Sequence, residues 1–227
     1  MTDREPGRAS PRLFIFEIAV FAAIFWADWA GHIPLSKTPV LFAAAWIFMA
    51  MRGVTWASSG FALPAHAGRL ALIGLASGVA YFLLEFFGTQ QLLLRLTGEL
   101  PNLHEFDDVV GNLELLLIYI CLNFVLAALG EELVWRGYAM PRVAALFGGG
   151  RTAWLAALIV VNVGFGLAHT YQGVPGVVEA AIGGIFYGAV YLATGRNLIA
   201  PMVCHFTSNS IDFTLMYLGL YPGVGAG

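Results

Sequence analysis

The chain has 227 residues, of which 59% are hydrophobic and 11% charged, with a mean hydropathy of +0.78 and a formal net charge of -3. Soluble domains carry roughly a quarter charged residues, so this composition excludes an ordinary soluble domain. The sequence contains no run of basic residues of the kind that would indicate nucleic acid binding. We therefore predict an all-α, polytopic bundle of transmembrane helices that forms one integral membrane domain over residues 1–227.

Apolar segments follow one another along the chain and are separated by short polar connections. They cover residues 13–30, 38–51, 70–88, 113–140, 152–170, 175–194 and 198–219. A helix needs about 20 apolar residues to cross the hydrocarbon core, so the second segment is short for a span. We predict about seven spans.

The distribution of Lys and Arg favours one orientation in the membrane. With the N-terminus in the cytoplasm, all but Lys37 and Arg95 of the 11 Lys and Arg residues fall on or toward the cytoplasmic side. This is the positive-inside bias of membrane proteins. We predict a cytoplasmic N-terminus, a retained first helix rather than a cleaved signal peptide, and a multi-pass protein of a cell membrane, most simply a bacterial inner membrane.

Two carboxylates and a guanidinium interrupt the apolar segment that begins at residue 113. Glu131 and Glu132 are adjacent, and Arg136 follows Glu132 by four residues. A charged side chain inside the bilayer costs several kcal/mol, so such residues usually face a bundle interior and serve a function. The spacing of four places Glu132 and Arg136 on one helical face, where they can pair.

Two later segments also carry polar side chains. Phe165 and His169 are four residues apart near the end of one segment, and His205 and Asn209 are four apart inside the last. Each histidine alone is as readily a hydrogen-bonded packing residue as a catalytic one. Two glutamates, two histidines, an asparagine and an arginine on three late segments are, however, the ingredients of a hydrolytic site that activates water.

The order of these motifs resembles one family of membrane enzymes. Glu-Glu-x-x-x-Arg, then Phe-x-x-x-His, then His-x-x-x-Asn is similar to the CPBP family, which includes CAAX prenyl proteases of the Rce1 type and bacterial relatives in bacteriocin processing. The resemblance covers roughly residues 113–218, so we expect these to form the catalytic core and residues 1–112 to form N-terminal spans.

The resemblance implies an intramembrane endopeptidase. Its substrate would be a membrane-associated peptide or a lipidated protein in the bilayer. Glu131 and His169 would activate water, while His205 and Asn209 would stabilise the oxyanion. Glu132, Arg136 and Phe165 would support these groups.

The sequence does not decide whether the site binds a metal ion. Glu131, His169 and His205 form a set of ligands that catalytic zinc uses, and the family is often called metalloprotease. The His-Glu-x-x-His spacing of zinc proteases is absent, however, and Asn209 shares the helical face of His205. The cofactor is therefore unknown, with a divalent metal such as zinc as one alternative and a metal-free mechanism slightly favoured.

Other functions remain as alternatives. An ion-coupled transporter also uses buried carboxylates and histidines, although no inverted repeat is visible. A non-catalytic immunity or scaffold protein could keep the fold without using the site. We further expect the site to lie in the cytoplasmic half of the bilayer, and Glu17, Asp28 and Glu85 to have interfacial or pairing roles. The spacing of Gly176, Ala180, Gly184 and Gly188 by four predicts close helix packing.

Overall fold

The structure is a computed structural model that describes residues 11–34 and 36–225. Within these residues it is all-helical and contains no β-strand, as predicted. The α-helices are α1 (Pro11–Trp29), α2 (Thr38–Met51), α3 (Ala67–Leu84), α4 (Gln90–Thr97), α5 (Leu113–Leu122), α6 (Met140–Leu146), α7 (Arg151–Leu167), α8 (Gly173–Ala193) and α9 (Ile199–Tyr217). Short 3₁₀ turns at His104–Val109 and Thr170–Gln172 lie in the connections.

Three continuous helical stretches are long and apolar enough to cross a membrane by length and composition. They are Ala67–Thr97, Leu113–Leu146 and Thr170–Ala193. Thr38–Met51 and Arg151–Leu167 are shorter apolar helices. A helical membrane bundle is therefore confirmed, whereas the total of about seven spans stays a prediction. The N-terminus, whose cytoplasmic location we predicted, lies outside the described residues.

The helix from Leu113 to Leu146 contains wide π-helical turns where its charged residues lie. These turns run over Asn123–Glu131 and Leu133–Ala139, between α5 and α6. Such turns are rare, and they frequently occur at functional sites. The helix continues well beyond Arg136, so Arg136 lies inside it rather than at its end.

The connections gather at two ends of the bundle. At one end, Leu198 donates its backbone N–H to Gly60 over 3.0 Å, and the turns around residues 52–66, 147–150 and 194–198 lie there; we call it the Arg-rich end. At the other, Asn102 donates to Gln172 over 2.9 Å and Gly111 to Tyr217 over 2.9 Å. This acidic end contains residues 98–112, 168–172 and 218–225.

Small residues bring neighbouring helices into close contact. A Cβ on Gly184 would lie 2.8 Å from Asn162 Oδ1, and one on Gly188 would lie 2.5 Å from Leu158 Cδ1, so α8 packs tightly on α7 as its spacing predicts. A second contact of this kind joins α3 to α9, since a Cβ on Gly78 would lie 2.6 Å from the carbonyl oxygen of Cys204.

Of the three carboxylates for which we expected interfacial or pairing roles, Glu17 and Asp28 form ion pairs, whereas Glu85 lies inside the bundle. Glu17 pairs with Arg142 at 2.5 Å, and Asp28 pairs with Lys37 at 2.8 Å, so both have the pairing role we expected. Glu85 differs, because it is 7% exposed and lines an internal cavity. An interfacial location for Glu85 is therefore wrong, because α3 packs along α9 and turns its C-terminal end into the bundle.

Candidate active site

The adjacent glutamates have different surroundings. Successive residues of an α-helix point about 100° apart, so neighbours in sequence need not share an environment. Glu131 is partly exposed and lines a cavity inside the bundle. Glu132 is 0% exposed and points into the packed interior. One glutamate is thus available to a substrate, while the other is enclosed by protein.

Arg136 organises the enclosed side. Its guanidinium is 0% exposed and donates to Glu132 Oε1 over 2.9 Å, to Asn162 Oδ1 over 2.9 Å and to the Gly184 carbonyl over 2.7 Å. It also lies over the Phe165 ring, 4.9 Å from its centroid. A buried charge requires this degree of pairing and hydrogen bonding. Arg136 therefore ties the first motif to α7 and α8.

Glu132 also holds a histidine. His205 Nδ1 lies 2.9 Å from Glu132 Oε1, the same oxygen that accepts from Arg136. The His205 ring stacks on Tyr187 with centroids 4.4 Å apart, and the Tyr187 hydroxyl lies 2.8 Å from Ser208 Oγ. Because a carboxylate accepts, Nδ1 is the donor, and Nε2 is the ring nitrogen left for other contacts.

His169 is oriented by the residue that precedes it by one turn. Its Nδ1 lies 2.8 Å from the Phe165 carbonyl oxygen, which can only accept, so Nδ1 carries the proton. The Phe165 ring contacts His169 at 4.8 Å and His205 at 6.3 Å between centroids. Phe165 thus separates and positions the two imidazoles, and it leaves Nε2 of His169 free of this bond.

One cavity brings the predicted catalytic residues together. It has a volume of about 350 Å³, and Glu131, His169, His205 and Asn209 all contribute to its wall. Asn209 follows His205 by one turn of α9, so both face the same space. Four side chains from three separate helical segments therefore meet around one volume.

The cavity reaches the acidic end of the bundle. Pro101, Glu105 and Gln172 from the connections at that end line it together with the catalytic candidates. The predicted orientation would put the acidic end on the non-cytoplasmic face, because His169 follows the end of α7 at this end. The predicted orientation and the predicted site in the cytoplasmic half therefore do not agree with each other, and both stay predictions.

The three candidate metal ligands, Glu131, His169 and His205, do not converge on a common point. Across residues 11–34 and 36–225, no group of three or more His, Cys, Asp or Glu side chains is arranged to hold a metal ion. Glu131, His169 and His205 thus share a cavity wall without forming such a group. They do not fit a bound metal as they are placed, and the mechanism below uses no metal step.

Sequence reasoning missed two supporting residues. Asn162 looked like any buried amide, yet it accepts from Arg136 and donates to the Leu158 carbonyl over 2.7 Å. Tyr187 has no motif spacing at all and is visible as a partner of His205 only in three dimensions. A signal for Asn162 does exist, since it precedes Phe165 by three residues and shares its helical face.

A second polar cluster on the cavity wall was also missed. Glu85, Glu179 and Asp212 are 7%, 8% and 9% exposed, and each lines the cavity that contains Glu131. Gln90, 1% exposed, donates from Nε2 to Glu179 Oε1 over 3.3 Å. Glu179 and Asp212 lie in segments that otherwise predict ordinary spans, and their distance in sequence hid the cluster.

An apolar groove borders the same residues from the side of α1. It has a volume of about 1320 Å³ and runs between α1, the long helix and α7. Phe21 and Phe25 of α1 face Val160 and Leu167 of α7 across it. Glu131 and His169 line both the groove and the cavity, so an apolar surface leads directly to the polar site.

Comparison with known proteins agrees with the motif order. Residues 113–211 match the model of the family described as type II CAAX prenyl endopeptidase Rce1-like. The matched residues include Glu131, Glu132, Arg136, Phe165, His169, His205 and Asn209. No curated protein and no solved structure shows significant similarity to the chain. The match confirms that residues 113–211 of this membrane protein, which contribute part of the cavity wall, resemble the Rce1-like type II CAAX prenyl endopeptidases.

Proposed function

We propose that this protein is an intramembrane endopeptidase that hydrolyses a peptide bond of a membrane-associated peptide or lipidated protein. The family match supports a CAAX-type protease in general terms. The observation that carries the finer proposal is the shared cavity of Glu131, His169, His205 and Asn209. We further propose that residues 1–227 act as one multi-pass domain, most simply in a bacterial inner membrane.

Glu131 is the general base in this mechanism. Its carboxylate faces the cavity, whereas that of Glu132 is occupied by Arg136 and His205. Glu131 takes a proton from water, and the resulting hydroxide attacks the scissile carbonyl carbon. The same proton then passes to the leaving amine as the C–N bond breaks, so no net proton is needed. His169 orients the water through Nε2, because its Nδ1 is bound to the Phe165 carbonyl.

His205 and Asn209 form the oxyanion site. Asn209 donates from its amide, and His205 donates from Nε2 when its ring is protonated. The Glu132 carboxylate accepts from His205 Nδ1 over 2.9 Å and so orients the ring with Nε2 toward the cavity. Donors aimed at the developing oxyanion supply about 3 kcal/mol each in soluble proteases. This assigns Glu132 and Arg136 a positioning role behind the reacting atoms.

The groove suggests where the apolar part of the substrate lies. Its wall of aromatic and aliphatic side chains from α1 and α7 reaches Glu131 and His169. An apolar peptide segment or a lipid chain in the groove would place an adjacent peptide bond at the cavity. The transporter alternative requires no such apolar approach to one carboxylate, so the groove favours the endopeptidase.

A comparison of membranes tests the proposal. Cells that produce the wild-type protein or Glu131→Gln are compared by proteomics of membrane peptides. A peptide that is cut in the first and accumulates uncut in the second supports the endopeptidase. Identical membrane peptides, with both proteins present in equal amounts, would contradict it.

A further inference from the structure

The cavity that contains the proposed catalytic residues has an excess of negative side chains. Carboxylates from five different segments line it, namely Glu85, Glu105, Glu131, Glu179 and Asp212. Among residues 11–34 and 36–225, no Lys or Arg lines the cavity, and His169 and His205 are the only basic side chains that do. Carboxylates without a cation in a space of low dielectric repel one another strongly. The cavity is therefore electrostatically suited to a positively charged occupant.

Three buried acceptors in this region lack partners. Glu179 Oε2, Asp212 Oδ1 and Gln90 Oε1 have no hydrogen-bond partner in the described part of the chain, and all three side chains are at least nine-tenths buried. Gln90 is an amide and holds the cluster through its bond to Glu179 and another to the Tyr221 hydroxyl. Unsatisfied buried acceptors are costly, so a donor is expected to bind among them.

An organic cation suits this arrangement better than a metal ion. The carboxylates are distributed along a cavity wall, and no group of three or more metal-binding side chains within residues 11–34 and 36–225 converges on one point. An ammonium group carries three donors and a guanidinium five, so either can satisfy several separated acceptors. Lys and Arg are the amino acids that carry these groups.

We propose that Glu85, Glu179 and Asp212 form a subsite for a Lys or Arg side chain of the peptide substrate. This inference rests on the proposed function, because it places the subsite beside the proposed catalytic residues. It adds a substrate class: membrane peptides with a basic residue at a fixed distance from the cleaved bond.

The distance follows from α9. Asp212 follows His205 by seven residues, or two turns, on one helical face, which corresponds to about 10 Å along the axis. An extended peptide spans about 3.3–3.6 Å per residue, so about three residues cover this distance. The basic side chain therefore lies about three positions from the scissile bond.

Binding to a catalytically inactive protein tests the subsite without cleavage. Glu131→Gln is purified in a neutral detergent and mixed with a fluorescent apolar peptide that has one Lys three residues from its central bond, or with its norleucine twin. Fluorescence anisotropy gives the two dissociation constants. A hydrogen-bonded charge pair is worth about 1.5–3 kcal/mol, so we expect the Lys peptide to bind at least about tenfold more tightly.

Adding Glu179→Gln and Asp212→Asn to this protein should bring the two dissociation constants to within about twofold. The matched control, Glu99→Gln, removes an exposed carboxylate outside the cavity and should keep the ratio. Equal binding of both peptides to Glu131→Gln would overturn the subsite. That outcome leaves the membrane comparison above unaffected, so the two proposals fail separately.

Discussion

His205 on α9 and Glu132 on the long helix are joined by a hydrogen bond of 2.9 Å between Nδ1 and Oε1. The bond connects two motifs that are 73 residues apart in sequence. Because Glu132 Oε1 also accepts from Arg136, a change at Glu132 alters both the charge balance of the interior and the orientation of the imidazole. Glu131, its neighbour, is free of both bonds.

Replacement of the two glutamates should therefore have different effects. Glu131→Gln should leave a stably folded protein whose cleavage rate is lower by at least about two decades, the usual scale for loss of a general base. Glu132→Gln should lower the free energy of unfolding by about 3–5 kcal/mol, since Arg136 loses its buried counter-charge. Thermal melting in detergent and a cleavage assay measure the two. Retained cleavage in Glu131→Gln, or equal stability losses in both, would contradict the assignment.

Replacement of Asn209 should affect the rate alone. Asn209→Ala removes one donor to the oxyanion, and we expect kcat to fall by about 10²–10³ with unchanged melting temperature and unchanged metal content. Metal analysis of the wild-type protein and of His205→Ala accompanies the kinetics. Zinc that is present in the wild type and disappears in His205→Ala would show that His205 is a metal ligand.

The matched control for this prediction is Thr214→Ala on the same helix. Thr214 is exposed, and its hydroxyl donates within α9 to the Ser210 carbonyl. Full activity is expected for Thr214→Ala. A similar loss in both variants would indicate that α9 as a whole has been disturbed.

Paired cysteines should measure how close the first two motifs lie. In a background of Cys121→Ser and Cys204→Ser, cysteines at positions 131 and 169 should be linked by a short bifunctional reagent, because both positions line one cavity. Mass spectrometry detects the link. The positive control has cysteines at positions 28 and 37, where the native Asp28 and Lys37 form an ion pair at 2.8 Å. Absence of the 131–169 link beside a working control would mean that the motifs are not one site.

The contact between α3 and α9 should be intolerant of a single methyl group. A Cβ at Gly78 would lie 2.6 Å from the Cys204 carbonyl oxygen and 2.6 Å from Thr207 Cβ. Gly78→Ala must therefore displace α9, and we expect a loss of about 1–3 kcal/mol of stability together with reduced cleavage. Gly68→Ala is the control, since nothing lies within 4 Å of its Cβ and alanine favours a helix. Equal melting temperatures for both variants would argue against this packing.

The sequence predicts the helical class and the first-motif ion pair because both follow from local periodicity. Hydropathy indicates helices, and a spacing of four indicates that Glu132 and Arg136 share a face. The contacts of Tyr187 with His205 and of Gln90 with Glu179 depend on how separate helices cross. The spacing of residues along one helix gives no information about such crossings. The depth of the site stays a prediction for a related reason, since it depends both on which helix end His169 reaches and on the orientation of the bundle in the membrane.

The close contacts of the α3 glycines with α9 restrict the substitutions that this chain can accept during evolution. Residues 113–211 carry the family resemblance, but Glu85 of the cavity wall and the glycines facing α9 lie before them. A larger residue at Gly74 or Gly78 would meet the backbone carbonyl oxygen of Ala200 at 2.5 Å or of Cys204 at 2.6 Å, so α9 would have to move away from α3. The two helices are therefore expected to vary as a pair, and an exchange of residues 113–225 alone with a distant relative should yield a mismatched and unstable protein.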